Sequence, residues 1–160
     1  MMDTASLISE IQSRPAQTIV CDRILVPIDG SPASMHAVEW AIDLARAADA
    51  ELTILMVIDY DAHISAFEQV SMSGYLPSEL KIAAYRFLAE LMHEIPRSVR
   101  AHTRVEEGDP GEVTVTVAAE EESHLIVMGS RGFGTFERIA FGSVSTYVTH
   151  HAHGPVLLVK

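Results

Sequence analysis

The chain has 160 residues, 48% apolar and 21% charged, the balance of one folded domain with a buried core rather than of a disordered chain. Its net charge of −11 disfavours nucleic-acid backbones and anionic lipid, so an anionic ligand here has to be met by backbone amides, a helix N-terminus and a metal ion. No apolar run reaches the ~20 residues of a membrane span, no basic-then-apolar leader opens the chain, and the single cysteine, Cys21, suits a reducing cytoplasm.

Residues 1–22 are expected to form an N-terminal extension, with Leu7, Ile8 and Ile11 giving at most one short amphipathic turn, and residues 23–160 the domain. RILVPIDGS predicts a buried strand from Ile24 to Ile28 and a turn, then a helix opened by Ser31-Pro32. Met35, Val38, Ile42 and Ala45 are that helix's apolar stripe. ELTILMVID predicts a second buried strand, Leu52 to Ile58. The connection from Tyr60 to Leu76 is irregular and long enough to act as a lid.

Ser78 to Ile95 reads as a helix with Leu80, Ala84, Phe87, Leu91 and Ile95 on one face, stopped by Pro96. SVRAHTRVE then alternates, Val99, Ala101, Thr103 and Val105 against Arg100, His102, Arg104 and Glu106. That period marks a strand with one wet face, at a sheet edge. Asp109-Pro110 opens the next element; its valines would fit a strand equally, but AAEEE favours a helix and a parallel crossover needs one. His124 to Met128 predicts a strand, Ser143 to His153 a helix ended by Gly154-Pro155, and Val156 to Val159 a last strand.

Strand and helix thus alternate four times before a fifth strand, which predicts a three-layer α/β fold with an open parallel sheet. With the third strand at an edge, the order is 3-2-1-4-5, and the topological switch falls between strands 1 and 4. Ligands of such sheets bind at the carboxyl ends of the strands flanking the switch. Strand 4 ends there in GSRGFGTFERIAFGSVS, where four of the nine glycines (Gly129, Gly132, Gly134, Gly142) fall within fourteen residues. Glycine lets backbone amides approach phosphate oxygens closely, and Gly142-Ser143 opens a helix whose positive end faces the same place. Ser143 can cap that helix or donate to a phosphate; the glycines could instead serve a tight strand exit and close helix packing.

The spacing G-x2-G-x9-G-S, together with ILVPIDGS, LTILMVID, LIVMGSRG and GSVSTYVTHHAHGPVLLVK, resembles the universal stress protein family from Arg23 to Lys160. The resemblance implies an adenine nucleotide alpha hydrolase-like fold and an ATP site holding Mg²⁺ through the phosphates. In that family the glycine motif, here Gly129, Gly132, Gly142 and Ser143 with Val144 beside them, holds phosphates and ribose. Pro27 and Asp29 would flank ribose and adenine, and Val57 would offer its backbone to the adenine edge. Asp29 before Gly30 is equally a turn residue, and Val57 equally plain core. Arg131 could reach a phosphate; Arg138, a surface arginine, is read as solvated, and Glu137 opposes a strongly cationic cradle.

The implied role is a cytoplasmic, nucleotide-dependent sensor or adaptor in stress adaptation, with an adenine nucleotide as its partner, no nucleic acid and no membrane. The apolar, unpaired edge of strand 5 (Val156 to Val159), guarded only by Lys160, predicts a homodimer by antiparallel pairing, which the resemblance implies too; the alternative is a monomer whose N-terminal extension covers that edge. No G-x-x-x-x-G-K-[S/T] is present and no side chain is placed to orient a water, so no catalytic residue is assigned and hydrolysis is at most slow. Slow hydrolysis or adenylyl transfer, and an adaptor with an empty pocket, are the competing functions. His150, His151 and His153 read as a solvated helix end near the dipole's negative pole rather than a metal site.

Overall fold

The structure, a computed structural model, describes residues 3–13, 20–60, 76–131 and 141–160. In chain order the elements are α1 (Thr4–Ser13), β1 (Arg23–Ile28), α2 (Pro32–Ala48), β2 (Glu51–Ile58), α3 (Leu76–Glu94), β3 (Arg100–Glu107), α4 (Pro110–Glu120), β4 (Leu125–Gly129), α5 (Ser143–His151) and β5 (Val156–Val159). The strands form a parallel sheet in the order β3-β2-β1-β4-β5, as expected. Element boundaries differ from the sequence reading by a residue or two, the usual fraying of ends.

The first residues depart from expectation. Instead of one short turn they form the ten-residue helix α1. The Asp3 carboxylate accepts a 2.8 Å bond from the Ser6 amide, an N-cap. That bond holds the Asp3 carboxyl below the ordinary aspartate range.

Successive strand residues point to opposite faces, so the sheet sorts its side chains into two cores. Ile24, Val26, Leu52, Ile54, Val127 and Val159 pack on one face with α2 and α3. Leu25, Leu55, Ile126 and Met128 pack on the other with Val117 of α4 and Val148 of α5. The buried stripe of α2 is Ser34, Ala37, Val38, Ala41 and Ala45; Met35 and Ile42 sit at its margins. Small residues win the centre because they let the helix axis approach the sheet.

At the edge, the polar face of β3 is organised rather than simply wet. Arg104 reaches Glu106 at 2.6 Å, Glu120 at 2.6 Å and Glu121 at 3.2 Å. His102 bonds Thr53 at 3.0 Å and faces Glu51 at 3.2 Å. The Arg104 guanidinium is held more firmly protonated than usual, first by the bond to Glu106. Lys81 at the start of α3 pairs with Glu107 at the end of β3, 2.6 Å apart, fastening that helix to the sheet edge.

Helices α4 and α5 approach closely because Gly111 has no side chain. A Cβ there would lie 2.9 Å from the Tyr147 ring, whose other neighbour is the stacked His151 imidazole at 3.9 Å. Gly111→Ala is therefore expected to destabilise the protein by about 1–3 kcal/mol through overpacking, a fall of several degrees in Tm. In thermal unfolding, truncating the ring as well, with Tyr147→Ala, should make the pair cost less than the sum of the two single changes.

Candidate functional site

At the carboxyl ends of β1 and β4 the chain leaves the sheet toward opposite faces, β1 into α2 and β4 toward α5. Such a divergence opens a crevice between the two strand ends. A cavity of about 250 Å³ lies there. Pro27 and Asp29 line it from the end of β1, Val57 from β2, and Gly129 and Arg131 from the exit of β4. Gly142, Ser143 and Val144 line it from the start of α5. Eight of the nine residues singled out from the sequence thus meet at one cavity. The ninth, Gly132, lies outside the described residues, as do Gly134, Glu137, Arg138 and positions 61–75 of the connection read as a lid.

Asp29 takes the turn role read from the sequence, and it also lines the cavity. Its Oδ1 accepts from the Ser31 amide at 2.9 Å, and Gly30 follows at φ +82°, a left-handed turn that glycine tolerates. This turn lets β1 end at the cavity and α2 begin at once. The first turn of α2 is satisfied from within: Ser31 Oγ accepts from the Ser34 amide at 3.3 Å, and Ser34 Oγ donates to the Ser31 carbonyl at 2.9 Å.

Helix α5 begins differently. Its N-cap is Gly142, with no side-chain cap, so Ser143 stands at the first helical position and does not cap the helix. The first amide of the helix to find its own carbonyl is that of Thr146, bonded to Gly142 at 3.0 Å. The amides of Ser143, Val144 and Ser145 have no intrahelical acceptor, and the positive end of the helix dipole lies at the cavity wall they form.

Gly129 has a different local reason from the amide approach expected of it. A Cβ there would lie 2.9 Å from the Ala33 carbonyl carbon and 3.0 Å from the Ser34 nitrogen. Its hydrogen makes room for the first turn of α2, the close-packing alternative. Its φ is not positive, so conformational freedom is not what the position requires.

The other lining residues, missed in the sequence, are Ile28, Ser34, Pro110, Thr114, Met128 and Ser145. Pro110 and Thr114 belong to the first turns of α4, which must cross over β2 and β1 to connect β3 with β4. That crossover was the available signal, since it brings the start of α4 over the crevice. The resulting walls are largely apolar around Val57, Pro110, Met128 and Val144. Among the described lining residues the charged groups are Asp29 and Arg131. The histidines at the end of α5 lie apart from this lining: His150 and His151 donate to the Thr146 and Tyr147 carbonyls at 2.7 and 2.8 Å.

An open parallel sheet in this order, helices on both faces and a crevice at the switch, is the adenine nucleotide alpha hydrolase-like architecture. The model of the universal stress protein family matches residues 21–160, and the chain belongs to that family. It is 32% identical over 151 residues to universal stress protein MJ0531 of Methanocaldococcus jannaschii, covering 86% of this chain and 81% of that one. Among solved structures it resembles the universal stress protein UspA from Lactobacillus plantarum, with a TM-score of 0.70 and 28% identity over 88% of this chain and 98% of that one. It also resembles a universal stress protein crystallised in complex with cAMP, with a TM-score of 0.56 and 25% identity over 87% of this chain and 96% of that one. Among the described residues no helix is long and apolar enough to cross a membrane.

Because the clash at Gly129 is with backbone, no side-chain rotation relieves it. Gly129→Ala is expected to cost about 1–3 kcal/mol, read in urea unfolding as a lower midpoint at unchanged slope. An unshifted midpoint would mean that β4 and α2 separate at no cost.

Proposed function

We propose that this chain binds ATP in the crevice between β1 and β4, with Mg²⁺ carried on the phosphates. In this reading it acts in the cytoplasm as a nucleotide-dependent sensor or adaptor of stress adaptation, with residues 23–160 as the binding domain and 1–22 as an extension. The observation that carries it is the convergence of Pro27, Asp29, Val57, Gly129, Arg131, Gly142, Ser143 and Val144 on one cavity beside the uncapped start of α5. The apolar walls suit a purine, the amides suit phosphate oxygens, and a structural neighbour in complex with cAMP supports an adenine nucleotide. Mg²⁺ is commonly held by one or two carboxylates plus substrate phosphates rather than by a protein cage. Asp29 is the carboxylate in the described lining, and that donor set fits such a shared ion.

Titration calorimetry on the purified protein tests this. Removing Mg²⁺ is expected to weaken ATP by about tenfold or more, because Arg131 is the one cation in the described lining and the chain is strongly acidic. Gly132→Val, which adds a branched side chain at the second glycine of the motif, is expected to abolish measurable binding while the far-ultraviolet spectrum stays native. A folded variant that binds ATP as tightly as the wild type would remove the phosphate cradle from this reading.

We further propose a homodimer in which β5 pairs antiparallel with its twin. Of the two expected supports, backbone edge and apolar side chains, the second weakens. Val156, Leu157 and Leu158 are half-buried and Val159 is buried, packed into the protein's own two cores, so the apolar side chains are not the driving feature. The unpaired backbone edge is: among the described strands β5 has one neighbour, β4. Light scattering should give twice the chain mass for the wild type and the chain mass for a folded Leu158→Pro variant, which loses one backbone donor. A monomeric wild type, or a dimeric proline variant, would place the interface elsewhere or remove it.

A further inference from the structure

We propose that Ser145 is a positioning residue for phosphate binding, closing the neck of the segment that leaves β4 at Ser130 and returns at Gly142. The proposal rests on the nucleotide reading above and assigns it a residue outside the glycine motif. Ser145 is 2% exposed, and its hydroxyl lies 2.9 Å from the Ser130 carbonyl and 3.0 Å from the Gly142 carbonyl. One hydroxyl proton is shared between two acceptors. The bond to Gly142 is the local back-bonding that serine often makes in a helix. The bond to Ser130 crosses fifteen residues and has no such local origin.

The Ser130 peptide is the fixed point of this arrangement. Its amide donates to the Val159 carbonyl at 2.7 Å, and its carbonyl accepts from the Gly142 amide at 2.9 Å as well as from Ser145. Ser130 is 1% exposed, so water offers these groups no alternative partner. The start of α5 is therefore hung on the carbonyl of a residue whose amide is itself fastened to β5. The Ser143 and Val144 amides, and Arg131 next to Ser130, owe their places at the cavity to that neck.

Without the Ser145 hydroxyl, the Ser130 carbonyl keeps one bond instead of two and the first turn of α5 can rotate away from β4. Binding would then have to restore the order that the neck supplies in advance, and affinity falls by that cost. Only the part of a ligand held by the start of α5 should feel this. The adenine, and the edge of the ribose flanked by Pro27 and Asp29, should not.

The experiment is calorimetric titration of wild type, Ser145→Ala and Ser145→Thr with MgATP and with adenosine, beside amide exchange at Gly142 in the nucleotide-free proteins. Ser145→Ala is expected to weaken MgATP about tenfold, change adenosine by less than about twofold, and speed exchange at Gly142. Ser145→Thr, which keeps the hydroxyl, should restore both readouts, as Thr149 makes the equivalent backbone bond in the same helix at 2.9 Å. Equal weakening of MgATP and adenosine, or a lower Tm with MgATP affinity unchanged, would overturn the assignment and leave Ser145 a stability residue. Should the alanine variant not fold, Ser145→Cys, of similar size but a weak donor, takes its place with the same expectations. A wild type that binds neither MgATP nor adenosine would overturn the nucleotide reading itself, a result separate from any effect of Ser145.

Discussion

A parallel strand can be followed by another only after the chain crosses back over the sheet, and that crossing is right-handed. Everything at the candidate site descends from this constraint. Starting at β1, the chain builds outward through β2 to β3, then must return across both to place β4 on the other side. Helices α2 and α3 consequently share one face, α4 and α5 the other. The strand ends at β1 and β4 are left between diverging connections. The cavity is a by-product of topology, and side chains were needed only to furnish it.

The order of the sheet was legible from a single strand. The alternation from Val99 to Glu106 marks the third strand as a margin, and one margin together with handedness leaves few arrangements. Unbroken apolar runs such as ILVPI and ILMVI identify strands covered on both faces, because only those can be apolar at every position. The same logic placed the cavity residues, since strand ends follow from strand identity. Gly129 ends its strand and Asp29 follows its own, while Pro27, next to last in β1, and the roles of all three came from the family resemblance.

What stayed hidden depended on distances between elements. Periodicity defines a helix face to within about one residue, so for α2 it favoured large side chains over Ala37 and Ala41, which are buried to 0%. The reason for Gly129 lies in the backbone of α2, ninety-six residues away in the chain from Ala33. Ser143 fits the composition of an N-cap, yet the helix starts one residue early and leaves that role to Gly142. The β5 edge looked apolar because a string of letters does not say which side chains its own helices cover. The neck made by Ser145 has no local signature, since serine at the third helical position suits any helix start.

A chain of net charge −11 that is to hold a polyanion faces a contradiction in bulk electrostatics, and neutral dipoles offer a way around it. A carboxylate several Debye lengths away is screened by salt, whereas amides within hydrogen-bond distance act almost unscreened. Such donors depend on orientation far more than a lysine on a flexible stem would. The proposed function would account in this way for the rigid fastening around the cavity: the Asp29 turn, the Ser31 cap, the Gly129 contact and the Ser130 backbone all fix backbone rather than charge. The same requirement connects the cavity to the sheet edge. The Ser130 amide is given to Val159, the last residue of β5, and the Lys160 carbonyl beside it accepts from the His36 imidazole of α2 at 3.0 Å. Orientation of the start of α5 is thus inherited from β5 through one residue, Ser130. In a fold proposed to meet anions with oriented amides, the strand at the margin and the candidate site are parts of one rigid frame.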